Sequence, residues 1–173
     1  KLLNKSIDNF LLSFGLFDEF NYCDQFLEQF YEQFTNSKII ILIAKESNSF
    51  ESVFRKYNLK KNIKIINYIS NVIEIYKFIY FGIGNFGLMS LEKAYLGIPQ
   101  VNLVESENQI NTSKILTKKQ LSKKFCKIQE LNKFNFDEFQ SQFDKINKNL
   151  LDKGMGLFGK GIIEWLVLID KIS

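Results

Sequence analysis

Three segments of the chain place glycine or polar side chains directly after apolar runs. They are residues 15–18 (GLFD), 82–87 (GIGNFG) and 105–109 (ESENQ). Glycine lets backbone N–H groups approach a phosphate without a Cβ in the way, and a helix N-terminus adds its positive dipole. Because a helical pattern over 88–96 follows the second segment, a diphosphate is the ligand that this turn favours.

The glycines of the second segment also match a dinucleotide-binding spacing. Gly82, Gly84 and Gly87 read as G-x-G-x-x-G, and Glu105 follows about twenty residues later. In a dinucleotide-binding unit that fingerprint lies on the first turn from strand to helix, whereas at least three strand patterns precede it here. A phosphate turn is therefore favoured over a dinucleotide site. A turn without any ligand stays open as an alternative.

The composition excludes several kinds of catalytic site. The 173 residues include no His, so the chain itself supplies no Ser-His-Asp triad, no Cys-His pair and no His-ligated zinc. Cys23 and Cys126 are far apart and form no CxxC motif, which argues against a disulfide framework or a metal site. We assign no catalytic residue, no metal ligand and no cofactor.

The charge and hydropathy patterns bear on partners and location. The net charge of +4 comes from dispersed lysines, with Arg55 the only arginine, so the paired Arg contacts typical of DNA recognition are missing and no nucleic-acid site is predicted. The longest apolar runs, 39–44 and 162–169, are shorter than the ~18–20 residues of a membrane span. No signal peptide is visible. The sequence predicts a cytoplasmic protein.

Strand-like and helix-like hydrophobic patterns alternate along the chain. Strand patterns cover 10–14, 38–44, 62–69, 78–83, 101–104 and 124–128, and helical patterns cover 20–34, 49–57, 71–77, 88–96, 109–118, 136–150 and 157–171. This alternation predicts an α/β fold, a three-layer Rossmann-like domain with a mostly parallel sheet. No linker divides the chain, so one domain over 1–173 is expected. Ligands of such sheets bind at the carboxyl ends of the strands, where the three segments lie.

One longer string carries a family resemblance. Residues 80–109 combine the glycine-rich turn, a helix with Glu92, the sequence Leu-Gly-Ile-Pro over 96–99, and the pair Asn108-Gln109. This order resembles the C-terminal domain of GT-B-type nucleotide-sugar proteins, especially the UDP-sugar hydrolase of pseudaminic acid biosynthesis and the spore-coat polysaccharide biosynthesis proteins. Residues 13–18 and 152–156 extend the resemblance over nearly the whole chain. The Leu-Gly-hydrophobic-Pro motif with an upstream Glu is shared by many GT-B enzymes, including the peptidoglycan N-acetylglucosaminyltransferase.

The resemblance implies a set of nucleotide-sugar-binding residues. Glu92 would accept hydrogen bonds from the ribose hydroxyls, the loop at Tyr68 and Ile69 would hold the uracil, and Asn108 and Gln109 would meet the sugar or the diphosphate. Backbone amides of the two glycine turns would face the diphosphate. The full implied set is Gly15, Leu16, Tyr68, Ile69, Gly84, Gly87, Leu88, Met89, Ser90, Glu92, Asn108 and Gln109.

The sequence also departs from the family pattern. Where the family usually has Gly-Gly-Ser-Thr, this chain has Phe-Gly-Leu-Met over 86–89, so Ser90 is the only nearby hydroxyl. Leu16 and Phe17 likewise replace an expected glycine and serine. Two implied residues have ordinary alternatives: Glu92 as a solvated helix carboxylate paired with a lysine, and Asn108 as a helix N-cap.

Two functional hypotheses follow. In the first, the chain is the UDP-sugar-binding C-terminal domain of a nucleotide-sugar hydrolase or glycosyltransferase in surface-glycan biosynthesis. It would be a fragment of a longer two-domain or multidomain protein, inactive alone, and its partner would be a GT-B N-terminal domain in the same or another chain. In the second, favoured by Leu16, Phe17, Leu88 and Met89, it is a degenerate non-catalytic domain that serves as a scaffold or interaction module.

Overall fold

A computed structural model describes residues 9–119, 121–125 and 130 of the chain. The helices predicted over 136–150 and 157–171, the family-like segment 152–156 and Cys126 lie outside the described residues. The strands are β1 (Asn9–Ser13), β2 (Lys38–Leu42), β3 (Ile63–Ile66), β4 (Phe81–Asn85), β5 (Gln100–Leu103) and β6 (Lys123–Phe125). The α-helices are α1 (Tyr22–Phe30), α2 (Phe50–Tyr57), α3 (Ile73–Tyr76), α4 (Leu88–Tyr95) and α5 (Gln109–Lys118). A 3-10 helix, Tyr31–Phe34, extends α1.

The strands form one six-stranded sheet in the order β3-β2-β1-β4-β5-β6, and every neighbouring pair is parallel. This is the doubly wound order of Rossmann-like domains, and it confirms the predicted α/β fold. The chain reverses its winding direction between β1 and β4, which are adjacent. Ser13 pairs with Gly84, and Asn85 pairs with Leu103. The carboxyl ends of β1, β4 and β5 therefore meet at one edge of the sheet.

Both faces of the sheet are covered by helices, which gives the predicted three layers. Phe10 and Leu12 of β1 belong to a core that includes Phe26 of α1 and Val53 of α2. Leu11, between them in sequence, points to the opposite face. There it joins what we call the Tyr76 cluster, formed by Leu11, Leu42, Ile75, Tyr76, Ile79 and Ile98.

Most of the chain's phenylalanines that the structure describes are packed in the first of these cores. Those fully or nearly buried in it are Phe10, Phe14, Phe26, Phe30, Phe34, Phe50 and Phe81. The Phe10 and Phe34 rings lie 4.9 Å apart between centroids. At this distance, aromatic pairs add to the free energy gained by burial. The high phenylalanine content thus serves mainly the packing of α1 and α2 on the sheet.

The fourth strand ends later in the chain than its sequence pattern predicted. The strand pattern covered 78–83 and the glycine segment 82–87 was expected to follow it as a turn, whereas β4 spans Phe81–Asn85, so Gly82 and Gly84 lie inside the strand and not in the turn. A Cβ at Gly84 would lie 2.1 Å from the Ser13 carbonyl oxygen of β1, and a Cβ at Gly82 would lie 2.6 Å from the Lys93 side chain. Close packing therefore accounts for both glycines, and Gly87 alone forms the turn into α4.

The structure also shortens the first helix predicted over 20–34. The α-helix begins at Tyr22, after Asp18 and Asn21 have both adopted left-handed backbone angles, and it changes to 3-10 geometry at Tyr31. Among the helices of the described ranges, none is both long and apolar enough to cross a membrane.

Candidate functional site

Asn85, the last residue of β4, connects the three loops at the carboxyl edge of the sheet. Its Nδ2 lies 3.4 Å from the position of a Cβ at Gly15, and its Oδ1 lies 3.1 Å from the position of a Cβ at Gly87. Its Nδ2 also donates a hydrogen bond to Glu105 Oε2, in the loop after β5. The structure thus brings together the Gly15 turn, the Gly87 turn and the Glu105 loop. Asn85 belongs to the glycine segment 82–87, but no pattern in that segment indicated a role for its side chain.

The N-terminus of α4 is open. Gly87 is its N-cap residue, with extended backbone angles (φ −84°, ψ −165°), and no side chain caps the helix. The first-turn amides of Leu88 and Met89 have no intrahelical acceptor, since the first N–H groups of any helix lack one. Ser90 donates its hydroxyl proton to the Gly87 carbonyl at 2.7 Å and is fully buried, so its hydroxyl stabilises the turn.

The N-terminus of α1, at the same edge of the sheet, is already occupied. The Asp18 carboxylate accepts hydrogen bonds from the backbone N–H groups of Tyr22 at 2.8 Å and Cys23 at 3.0 Å. It also accepts one from Ser49 Oγ at 2.6 Å, and it is only 1% exposed. An internal anion therefore occupies the N-terminus of α1 and binds its first two amides.

The first glycine turn keeps the chain close to the β4 end. Gly15 has a positive φ of 82°, a conformation that favours glycine. The Leu16 carbonyl accepts a hydrogen bond from the Ala44 amide at 2.8 Å, which fixes this turn to the end of β2. The Leu16 side chain is half exposed.

Glu105 and Gln109 form the third side of the site. Gln109, the first residue of α5, accepts a hydrogen bond from the Glu105 amide at its Oε1, at 2.9 Å. Burial raises the pKa of the Glu105 carboxyl, the hydrogen bonds from Asn85 and Gln109 oppose this, and the nearby charges of Asp18 and Glu19 raise it further. A partly buried carboxyl thus lies beside the α4 turn.

Asn108 occupies the N-cap position of α5, as its alternative role predicted, but its side chain makes no capping hydrogen bond. It precedes α5 with helical backbone angles (φ −62°, ψ −20°), and its side chain caps no helix amide. Its Oδ1 instead accepts a hydrogen bond from Ser106 Oγ at 2.5 Å, and the residue is exposed. Asn108 therefore lies at the rim of the site.

Glu92 is held by a tyrosine and not by a lysine. The Tyr76 hydroxyl donates a hydrogen bond to Glu92 Oε2 at 2.7 Å, and Glu92 is half-buried on α4. Within the described part of the chain no lysine forms an ion pair with Glu92, so the contact that orients its carboxylate is the one with Tyr76. Burial, and then the Glu92 charge, raises the pKa of Tyr76, which keeps its hydroxyl protonated. No pattern in the sequence indicated a role for Tyr76.

Of the two residues predicted in the loop after β3, Ile69 approaches the site and Tyr68 does not. Ile69 and Met89 both pack against the Tyr76 cluster, so this cluster underlies the β3 loop, the α4 turn and the Tyr76–Glu92 pair together. Tyr68 is 78% exposed, and among the residues that the structure describes no hydrogen bond joins it to another candidate. The structure therefore brings Ile69 to the site but leaves the Tyr68 ring in solvent.

Apolar side chains surround the open helix end. Leu88 begins α4 and is 66% exposed, and Leu16 and Phe17 follow the Gly15 turn and are also exposed. No side chain of the described residues caps this end of α4, so its backbone amides are the donors available there.

Lys93 lies in α4 but does not face the site. It is 1% exposed, its aliphatic chain covers Gly82, and its Nζ lies 3.5 Å from the Asn102 side-chain amide. Burial lowers the pKa of Lys93 to about 7, and the neighbouring Glu92 charge only partly offsets this. The single buried lysine of the described residues is therefore directed at the sheet and cannot neutralise a phosphate at the helix end.

Comparison with family models and with curated proteins finds no match. Solved structures do match. MurG of Acinetobacter baumannii has a TM-score of 0.69 at 15% identity, over 98% of this chain and 51% of that one. The glycosyltransferase SnogD from Streptomyces nogalater has a TM-score of 0.62 at 12% identity, over 90% and 41%. The Streptomyces sp. SF2575 glycosyltransferase SsfS6, complexed with thymidine diphosphate, has a TM-score of 0.52 at 8% identity, over 87% and 39%.

At these identities the likeness concerns the fold alone. It identifies the fold as a Rossmann-like domain of the GT-B type, as the sequence resemblance implied. The chain spans between 39% and 51% of the length of these three structures.

Proposed function

We propose that this chain is the nucleotide-sugar-binding half of a GT-B protein, either a UDP-sugar hydrolase or a glycosyltransferase of surface-glycan biosynthesis. The sequence resemblance favours the hydrolase of pseudaminic acid biosynthesis and the spore-coat polysaccharide proteins. The observation that carries the proposal is the open N-terminus of α4 at the point where the sheet reverses its winding direction, with Glu92 on the same helix.

The spacing along α4 fits a nucleoside diphosphate. Leu88 and Glu92 are four residues apart, so they share one helix face and are separated by about 6 Å of rise. A diphosphate bound to the amides of Leu88 and Met89 then places a ribose near Glu92. The carboxylate accepts hydrogen bonds from the ribose diol, and the base extends toward Ile69. In the proposed complex, Asn108 and Gln109, which follow β5, meet the sugar or the diphosphate.

The solved structures support this proposal in two respects. One of them is a complex with thymidine diphosphate, so a protein with this fold binds a nucleoside diphosphate. The chain also spans only about half of MurG. We therefore propose a GT-B N-terminal domain, in the same or another chain, as the partner that supplies the catalytic base. The chain alone binds its nucleotide and does not turn it over.

Calorimetric titration of the 173-residue chain with UDP, thymidine diphosphate and UDP-sugars tests the proposal. We expect binding of UDP, tighter than that of thymidine diphosphate, and a loss of affinity of about tenfold in Glu92→Gln. The matched control is Glu51→Gln, which alters an exposed carboxylate on α2 and should bind as the unaltered chain does. A folded chain that gives no heat at millimolar UDP would exclude a nucleotide-binding role.

The second candidate function is that of a non-catalytic scaffold. The exposed Leu16, Phe17 and Leu88 side chains at the site favour it, because apolar groups suit a protein partner better than a phosphate. The same titration separates the two functions, since a scaffold binds neither UDP nor UDP-sugars.

A further inference from the structure

We propose that Tyr76 is a positioning residue that holds Glu92 in the orientation required to bind the ribose diol. This inference rests on the proposed function and adds a residue to it. The geometry that carries it is the hydrogen bond from the Tyr76 hydroxyl to Glu92 Oε2, 2.7 Å long, between the end of α3 and the middle of α4.

The Tyr76 ring has little freedom to move. It is 5% exposed and packs within the Tyr76 cluster, where Leu11 and Leu42 come from the sheet and Ile98 from the loop after α4. Packed interiors hold side chains in single rotamers, so the hydroxyl group stays at a fixed point beside α4. A flexible glutamate side chain that binds to this fixed donor is restricted to one orientation.

The restriction determines which carboxylate oxygen faces the ligand. Oε2 of Glu92 is engaged by Tyr76, which leaves Oε1 and the remaining lone pair of Oε2 for ribose hydroxyls. A glutamate that is ordered before the ligand arrives loses less conformational entropy on binding. Tyr76 thereby strengthens the contact to ribose without touching the nucleotide.

The same tyrosine connects two other parts of the site. Ile69, in the loop proposed to hold the base, and Met89, in the turn proposed to hold the diphosphate, pack against the cluster that contains the Tyr76 ring. The ring therefore supports the base loop and the phosphate turn, while its hydroxyl orients the ribose ligand. The hydroxyl and the ring have separable effects, which Tyr76→Phe distinguishes.

The test measures the affinities of UDP and of 2′-deoxy-UDP in Tyr76→Phe and in the unaltered chain. We expect Tyr76→Phe to lower the affinity for UDP about fivefold and the affinity for 2′-deoxy-UDP less than twofold. The reason is that Glu92 binds the full ribose diol only in UDP. In the Glu92→Gln background, Tyr76→Phe should change neither affinity. The matched control is Tyr31→Phe, which removes another tyrosine hydroxyl bond, to Asn62 Oδ1, far from the site, and should leave the ratio of the two affinities unchanged.

Glu92→Asp provides a second test if Tyr76→Phe fails to fold. It keeps the charge but draws the carboxylate back from Tyr76, and we expect the same selective loss of UDP affinity. The inference is overturned if the chain binds UDP, Glu92→Gln weakens it, and the UDP to 2′-deoxy-UDP ratio is unchanged in the Tyr76→Phe and Glu92→Asp variants that fold. In that result the proposed function stands. A folded chain that binds no UDP overturns both.

Discussion

Two helices, α1 and α4, begin at the same edge of the sheet, but a side chain caps the N-terminus of α1 and none caps that of α4. At α1, the buried Asp18 carboxylate accepts two backbone N–H groups and the Ser49 hydroxyl. At α4, the N-cap is Gly87 and no side chain caps the helix. Every helix N-terminus carries the positive end of a dipole and amides that lack an acceptor within the helix. One is completed by an internal anion, and the other is left for an external one, which is why we place the diphosphate at α4.

The largest predicted effect on stability comes from removing the Asp18 carboxylate from the N-terminus of α1. Asp18→Ala removes three hydrogen bonds and leaves buried donors without acceptors. We expect it to lower the free energy of unfolding by about 3 kcal/mol, measured by urea denaturation. The control is Glu19→Ala, an exposed carboxylate next to it in sequence. Equal stability of the two variants would mean that Asp18 does not complete α1.

The buried ionisable group at α1 is the Asp18 carboxyl, which precedes the helix, whereas at α4 it is the Lys93 amine, within the helix. The buried lysine predicts that the free energy of unfolding depends on pH. The pKa of Lys93 in α4 is lowered to about 7 by burial. The unfolded chain keeps the ordinary, higher pKa of lysine, so above pH 7 it binds more protons than the folded chain does. The free energy of unfolding should therefore rise by about 2 kcal/mol between pH 7 and pH 9 from this residue.

Lys93→Met isolates this contribution. In urea denaturation at a series of pH values, we expect the free energy of unfolding of this variant not to rise between pH 7 and pH 9. At pH 7 the variant should be more stable than the unaltered chain. Lys114→Met, which alters an exposed lysine of α5, should keep the rise. A pH profile that is the same in the Lys93 and Lys114 variants would show that Lys93 stays protonated in its buried position.

Converting the α4 end into a copy of the α1 end is the most direct test of the comparison. Leu88→Asp places a carboxylate in the first turn of α4, where it favours the helix but repels a diphosphate. We expect the affinity for UDP to fall at least tenfold, or by about 1.4 kcal/mol, while the thermal midpoint does not fall.

Leu88→Asn is the matched control for this charge. It has the same shape as the Asp variant but is neutral, so its UDP affinity should stay within about threefold of that of the unaltered chain. Equal losses in the two variants would indicate that the Leu88 side chain itself contacts the ligand, and that α4 is not an anion site.

Local patterns in the sequence predicted the elements, because each depends on neighbouring residues. Lys38–Leu42 forms a strand within the pattern predicted over 38–44, and α4 lies within the helical pattern predicted over 88–96. It ends before Gly97, whose positive φ of 71° is typical of a glycine that follows a helix. The ends of the first helix and the fourth strand were wrong. They depend on Asp18 binding the helix amides and on Gly84 packing against Ser13, and neither contact follows from a hydrophobic period.

The candidate site was predictable only in part, for the same physical reason. The glycine turn was identified from its spacing, and Glu92 was identified from the family resemblance of residues 80–109. Asn85 joins three loops, and Tyr76 lies 16 residues before Glu92 on a different helix. Contacts such as these arise when the sheet brings distant segments together, so no spacing in the sequence indicates them.

The smallest predicted effect concerns the apolar surroundings of the α4 end. Leu88→Ser provides the kind of hydroxyl donor that the family resemblance led us to expect there, and it removes an exposed apolar side chain. We expect UDP to bind about threefold more tightly, since one added hydrogen bond to phosphate contributes little beyond the bond to water that it replaces. Leu96→Ser, at the other end of α4, should have no effect on affinity. A gain in UDP affinity from Leu88→Ser alone would mean that α4 is a functional anion site with one suboptimal residue. Unchanged affinity would contradict the prediction, and would mean that the backbone amides already satisfy the diphosphate without a hydroxyl.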